Sequence, residues 1–582
     1  MEKTIFIDGK SFLFDFSEDT DISFSLVERR EGISVYRLFF KWPEAHSPKQ
    51  ITLTYEIPCR NTYYVWDPIE KKRSIPFGRS QVTDSRLGSG MPLKALVSRE
   101  SKNAHTISVS DVKTPIALTM ASFKFYEGII KIGVELFTSL TDARDTYETF
   151  IRIDERQVDL DDVLYGARDW FDSLGYTNSH IPSEATLPMY STWYSYGQDV
   201  CADDVVKECE VAAGLGMKAV ILDDGWQLDG DGKIYGFCGD WNPVERKFPD
   251  MKGLSQKIHD LGMKIMLWYS VPFIGFYSNN YKHFEGKYLR PFERANCAVL
   301  DPRYKEVRDF LIETYVTAVK EWELDGLKLD FIDRFYTNGE YNEQMDYVSV
   351  EDAVECLLKD ISSALKEINP DILIEFRQPY FGPVVSTYGN MIRVWDCPLD
   401  GCTNKNQTIN LRLVSGNCAV HSDMICWHNT DTRESVALQL WGTALSVPQI
   451  SVRLNDISDE HTTVLKNYLD FWVKHRSLLM DGTLKTKLSE NGYGYASATL
   501  SEECFAMLSA GNVFEIPSDA SACYVVNICG DNSVIVKSDG RKYLAITYDC
   551  LGNKLSETKS AESLCELELS MGGRIEIFVS EN

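Results

Sequence analysis

The chain reads as an α/β protein built on a central (β/α)8 TIM barrel, with an N-terminal β-sandwich before it and a small C-terminal β domain after it. Three observations predict this. Eight short apolar runs alternate with helical patterns over the middle of the chain, several of those runs end on a carboxylate or an aromatic residue, and the flanking segments alternate with the period of two of half-buried strands. A chain of 582 residues also exceeds what one core can organise, so more than one domain is expected.

Residues 1–185 carry short β runs such as Ser34–Trp42, Gln50–Pro58 and Ile129–Phe137, separated by polar or Gly/Pro turns, and read as an antiparallel sandwich. From residue 186 to 480 the rhythm changes. Strands are expected at Leu187–Thr192, Lys218–Leu222, Lys264–Tyr269, Gly326–Leu329, Ile372–Phe376, Met391–Trp395, Cys418–Ser422 and Gln449–Val452. Helices are expected at Asp203–Leu215, Gly253–Leu261, Val307–Glu323, Val350–Ile368 and Glu434–Leu445, with a last one near Glu460–His475. A doubly wound open sheet is the alternative, but no Gly-rich phosphate loop follows the first strand. Residues 481–582 return to short β runs, among them Ser533–Lys537 and Arg574–Val579.

Composition excludes several classes. Lys+Arg 60 against Asp+Glu 86 gives a net charge of −26, a surface that repels phosphate backbones and anionic membranes, so neither nucleic acid nor a membrane is an expected partner. Fifteen cysteines show no CxxC pair or zinc spacing and read as reduced thiols. With an N-terminus that lacks the apolar stretch of a signal peptide, a cytoplasmic location is expected.

The strand ends carry the chemistry, because a barrel gathers the carboxyl ends of its strands at one mouth. They are Trp193, Asp223-Asp224-Gly-Trp226, Trp268-Tyr269, Lys328-Leu-Asp330, Glu375-Phe-Arg377, Arg393-Val-Trp395-Asp396 and His421-Ser-Asp423. Each taken alone has a plain reading: Asp330 as a helix cap, the paired Asp as a turn, His421 and Asp423 as structural groups. Together they describe a pocket for a polyhydroxylated neutral ligand, and the chemistry it supports is glycoside hydrolysis. A retaining mechanism needs two carboxyl groups about 5–5.5 Å apart, one as nucleophile and one as acid/base. Asp330 is the nucleophile candidate, because Lys328 lies two residues before it on the same face and favours the ionised form. Asp396 is the acid/base candidate, with the Trp395 ring expected to raise its pKa; Glu375 and Asp400 compete for that role. Asp223 and Asp224 suit hydroxyl recognition, since an ionised carboxylate accepts from neighbouring sugar hydroxyls.

Leu222-Asp-Asp-Gly-Trp226, Gly239-Asp-Trp241 and Lys247-Phe-Pro249, taken with Lys328-Leu-Asp330 and Arg393-Val-Trp395-Asp396, resemble glycoside hydrolase family 36, the α-galactosidase and raffinose-synthase clan. The resemblance covers nearly the whole chain. It implies a retaining exo-α-glycosidase, first of all an α-galactosidase, with Asp330 as nucleophile and Asp396 as acid/base. Asp223, Asp224, Trp193, Lys328, Arg377, Arg393 and Trp268 would hold the sugar. An α-N-acetylgalactosaminidase, another α-glycosidase of the clan, or a galactosyl transferase of the raffinose-synthase kind are the alternatives. No metal or organic cofactor is implied; the partner is a small glycoside or oligosaccharide, and a homo-oligomer is among the assemblies the resemblance allows. The chain departs from the family pattern in the fifth strand, where Glu375-Phe-Arg377-Gln-Pro-Tyr380 replaces a Cys and glycine run that approaches the sugar 2-hydroxyl, and after the sixth, where Asp396-Cys-Pro-Leu-Asp400 replaces Ser-Asp-Asn-Thr-Asp.

Overall fold

The computed structural model describes residues 1–580 apart from 60, 70–79, 125–126, 177, 229–233 and 337–339. Two six-stranded sheets form the N-terminal part, and their inner faces meet in a core that includes Phe12, Phe14, Tyr36, Trp42, Leu118 and Ile132. Alternation along Ile51–Pro58 shows why: Ile51, Leu53, Tyr55 and Ile57 turn inward while every intervening residue is more exposed. A helix, α1 (Leu160–Ser173), leads from this sandwich towards the barrel.

The barrel strands are β1 (Met189–Ser191), β2 (Ala219–Leu222), β3 (Lys264–Ser270), β4 (Gly326–Asp330), β5 (Leu373–Arg377), β6 (Met391–Arg393), β7 (Ala419–His421) and β8 (Gln449–Ile450). All neighbouring pairs from β8 through β1 to β7 are parallel, and a bridge from His421 to Val447 joins β7 to the start of β8. The strands are buried on both faces, which is why they read as unbroken apolar runs. Each expected strand is present within a few residues of its predicted bounds. Gly326 is required where β4 meets β5, since a Cβ there would lie 2.5 Å from the Leu373 carbonyl oxygen.

The helices between the strands are α2 (Ala202–Gly214), α3 (Met251–Asp260), α4 (Lys305–Trp322), α5 (Val350–Ile368), α6 (Gly401–Val414) and α7 (Arg433–Gly442), followed by α8 (Asp459–Lys474). Side chains of Asp250, Ser349, Asp400, Thr432 and Ser458 cap five of them. None of the described helices is long and apolar enough to cross a membrane. A seven-stranded and a three-stranded sheet complete the chain from Thr483 onwards. All fifteen cysteines are free thiols, although Cys201, Cys356, Cys418 and Cys426 are only partly buried.

Inside the barrel, side chains change character with height. Met189, Ala219, Ile221, Met266, Leu373, Met391 and Ala419 form an apolar plug. One inward step further along the strands, the period of two brings in Lys328, Glu375, Arg393 and His421, all nearly inaccessible. Asp330 and Arg377 stand a further step up, at the carboxyl ends of β4 and β5, where the cleft opens.

Candidate active site

Asp330 ends β4, and the next residue, Phe331, has φ 67°. A left-handed conformation at a bulky residue costs about 1–3 kcal/mol and persists only where its surroundings enforce it. Here it turns the Phe331 N–H back onto Asp330 Oδ1 at 2.7 Å. The same oxygen accepts from Arg377 Nε at 2.6 Å and from the Tyr380 hydroxyl at 2.8 Å. Among the described residues, Oδ2 accepts one hydrogen bond, from Trp268 Nε1 at 3.0 Å. Burial works to raise this carboxyl's pKa, but Arg377, Lys328, the Trp268 N–H and Arg393 outweigh it and hold it well below the usual carboxylate range. Asp330 is therefore ionised, with Oδ1 saturated and Oδ2 the less encumbered atom.

Lys328 contributes to that charge balance at a distance. Its Nζ donates to Asp223 Oδ2 at 2.5 Å, a buried pair crossing from β4 to the end of β2. Asp223 Oδ1 accepts the Asp224 N–H at 2.9 Å, and the Asp223 N–H donates to Thr192 Oγ1 at 3.0 Å. Asp224 accepts from Gln198 Nε2 at 2.7 Å and Gln227 Nε2 at 2.6 Å, yet its burial pushes the pKa up to about 6. The two adjacent carboxylates, expected to be alike, differ in their environments: one faces an ammonium and the other two amides. Gly225 makes this turn possible. It has φ 127°, and a Cβ would come within 2.7 Å of Gln198 Cα.

Asp396 follows β6 in an irregular segment, with 52% of its side chain exposed. Arg393 donates to it at 2.9 Å and also to Asp423. The expectation that the Trp395 ring raises the Asp396 pKa is not met. Burial pushes it up, but the Arg393 and Arg377 guanidiniums prevail and keep it below its ordinary value. Asp423 takes the part of a buried anchor: its Oδ2 accepts the Cys397 N–H at 2.6 Å and the Tyr194 hydroxyl at 3.0 Å, and burial raises its pKa to about 6. Asp423 thereby fixes the start of the loop that carries Asp396.

The two competing carboxylates are placed elsewhere. Glu375 is 0% exposed beneath the site, accepting from Gln449 Nε2 and 3.7 Å from Arg393 Nε, and burial raises its pKa. Asp400 is the N-cap of α6, bound by the Thr403 N–H at 2.9 Å and the Thr403 hydroxyl at 2.6 Å. His421 donates from Nε2 to the Ala185 carbonyl at 2.7 Å, and its Nδ1 lies 3.2 Å from Gln449 Nε2. Both ring nitrogens are thus engaged inside the protein.

Among the remaining candidates, Trp193 opens a single helical turn after β1 and is half-buried. Trp268 and Arg377 touch Asp330 directly. Arg393 is 1% exposed and committed to carboxylates, so it orients Asp396 and Asp423 and is not free to hold a sugar. Tyr380, Tyr194, Gln198 and Gln227 had no signal in the sequence, because each acts by reaching a carboxylate on another strand or loop.

The site is thus an eight-stranded parallel barrel with an ionised carboxylate at the end of β4 and paired carboxylates at the end of β2. Residues 181–382, about a third of the chain, match the Melibiase family model. The chain is 30% identical over 204 residues to α-galactosidase 2 of Pediococcus pentosaceus, an alignment covering 34% of this chain and 28% of that protein. It is 25% identical over 223 residues to an A type blood α-D-galactosamine galactosaminidase of Flavonifractor plautii, covering 33% of this chain and 19% of that one. The matched stretch is therefore less than a third of either relative's length. A crystal structure of a GH36 α-galactosidase from Geobacillus stearothermophilus in complex with raffinose superposes with a TM-score of 0.67 at 15% identity, covering 99% of this chain and 84% of that one. One of the Thermus thermophilus α-galactosidase with stachyose gives 0.54 at 14% identity, over 81% of this chain and 99% of that one. At these identities the structural likeness speaks for the fold.

Proposed function

We propose that this protein is a retaining exo-acting α-glycosidase that removes terminal α-galactosyl residues. The observation that carries the reading is the state of Asp330: a buried, ionised carboxylate with one oxygen saturated by Arg377, Tyr380 and a backbone N–H, and the other accepting from Trp268. Oδ2 attacks the anomeric carbon as the bond to the leaving oxygen breaks, and Asp396 supplies the proton to that oxygen. The galactosyl ester on Asp330 is then cleaved by water, whose proton returns to Asp396. Asp223 and Asp224 at the floor accept hydroxyls of the sugar, Trp193 and Trp268 line it, and Arg377 and Lys328 balance the charge. The name of the Pediococcus relative and the raffinose and stachyose complexes of the two structural neighbours support a galactoside substrate, while the name of the Flavonifractor relative supports an α-galactosaminide. A division into 1–185, 186–480 and 481–582, a cytoplasmic location and a homo-oligomeric state belong to the same reading.

The test uses a panel of nitrophenyl α-glycosides. Asp330→Asn is expected to abolish turnover while galactose still protects against unfolding. Asp396→Ala is expected to retain activity on the nitrophenyl galactoside and to be rescued by azide with formation of a galactosyl azide. An active Asp330→Asn enzyme would sink the assignment.

A further inference from the structure

A cluster of guanidiniums lies beside the mouth in a protein whose net charge is −26. Arg290, on the strand Tyr288–Phe292, lies over the Tyr336 ring at 3.7 Å, and Arg86, from the sandwich, lies over the same ring at 4.7 Å. Arg290 donates to the carbonyls of Tyr336 and Arg334, the latter at 2.8 Å, and Arg86 donates to the Asp333 carbonyl at 3.1 Å. Arg334 joins them with 40% of its side chain exposed. Among the described residues its one carboxylate partner is Asp333, at 3.3 Å. Among the described residues, neither Arg86 nor Arg290 has a salt bridge, and the buried Nε atoms of Arg86 and Arg334 have no hydrogen-bond partner. Glu351 is close enough to feel Arg86 without pairing with it. Burial, together with the neighbouring Arg334 and Arg86 charges, depresses the Arg290 pKa, as like charges held together should.

An aromatic wall joins this corner to the nucleophile. Arg377 lies over Phe331 at 5.0 Å, Phe331 stacks on Phe273 at 4.8 Å, Phe273 meets Phe292 at 5.7 Å, and Arg334 lies over Phe292 at 5.8 Å. Exposure rises from the floor to this corner. Asp223 and Asp224 at the floor are 2% exposed, Asp330 5%, and Tyr336 at the far end 39%. In an exo-acting site the sugar fills the floor, so the outer end of the wall belongs to the leaving group.

We propose that Arg86, Arg290 and Arg334 form an anion subsite on the leaving-group side of the cleft, and that the preferred substrates are α-galactosides whose aglycone carries an oxyanion group (phosphate, sulfate or carboxylate). Guanidiniums recognise such groups through paired N–H donors, and three of them held together with one carboxylate partner among the described residues, Asp333, gain most from a ligand that brings the missing charge. The inference rests on the reaction assigned above and adds its substrate class.

The experiment compares kcat/KM for melibiose, for melibiose phosphorylated on the glucose 4-hydroxyl, and for an α-galactosyl glucuronide, with nitrophenyl α-galactoside as neutral reference. At low salt the charged disaccharides are expected to exceed melibiose by roughly tenfold or more, mainly through KM, and the gain should shrink at about 0.5 M salt. The phosphate and carboxylate arms distinguish which oxyanion is favoured. Arg334→Gln and Arg86→Gln should each remove most of the gain and affect the neutral reference far less. Equal kcat/KM for charged and neutral disaccharides, or variants that lose both alike, would overturn the proposal. If no α-galactoside is cleaved, the reaction assignment fails. The subsite is then judged by whether inorganic phosphate raises the Tm of the wild type more than that of Arg334→Gln, and no difference refutes it.

Discussion

Asp330 Oδ1 collects three donors, of which only Arg377 is charged. Removing the guanidinium takes away the nearest opposing charge and leaves burial to act. Because this carboxyl's pKa is held low in the folded protein, activity that requires its ionised form persists to low pH and is lost only as pH falls through that value. In Arg377→Met the acidic limb of the kcat/KM profile should therefore move to higher pH by about one unit or more, the effect of a close opposite charge. Tyr380→Phe removes a neutral donor and should move it less. A limb that stays in place in both variants would show that Arg377 only packs against Phe331. Arg393 cannot be tested so simply. Buried among Glu375, Asp396 and Asp423, its removal would leave uncompensated carboxylates and threaten folding itself.

The elements differ in how far the sequence alone revealed them. All eight barrel strands and most of their helices were visible, because a strand buried on both faces leaves an unbroken apolar run and an amphipathic helix leaves its period; α6 was not, because its buried residues include the polar Asn404, Lys405, Gln407, Thr408 and Asn410. Which carboxylate did what was less visible. Asp396 and Asp400 lie four residues apart on the irregular segment before α6, and their partners tell them apart: Asp400 caps the helix while Asp396 accepts from Arg393. Asp400→Ala should cost about 1 kcal/mol of stability as a lost N-cap, measured by denaturant unfolding, while kcat on nitrophenyl α-galactoside is largely kept and azide has no effect. Azide rescue in Asp400→Ala would reverse the two roles. The Asp396 pKa was misjudged for a related reason. The Trp395 ring was weighed, but the guanidiniums of Arg393, three residues earlier, and of Arg377, from the adjacent strand β5, were not.

At the scale of the whole molecule, one contact between α1 and the C-terminal sheet carries a testable pH dependence. Asp161 is 0% exposed, neither carboxylate oxygen has a hydrogen-bond partner, and Lys485 stands 3.5 Å away. Burial pushes its pKa up to about 6, with Lys485 opposing. A carboxyl whose folded pKa lies above its unfolded one binds its proton more tightly in the native state. Its contribution is greatest below the unfolded value, near 4, and declines as pH rises through about 6. Asp161→Asn should raise Tm by about 1–3 °C at pH 7.5, with the gain vanishing below about pH 4.5. A gain independent of pH would mean that packing rather than charge is responsible.

The sandwich also does more than precede the barrel. Gly90 donates its N–H to the Pro379 carbonyl at 2.8 Å, just after β5. At Gly88 a Cβ would sit 3.0 Å from the Ile332 carbonyl oxygen, beside the nucleophile's own loop, and Arg86 reaches Asp333. One turn of the N-terminal β structure thus rests on the loops that follow β4 and β5, the two strands that supply Asp330 and Arg377. A barrel cut free of its first 185 residues would keep its eight strands and lose one side of its cleft. Recombining such sandwiches among related barrels would therefore exchange leaving-group preference while leaving the bond-breaking carboxylates untouched.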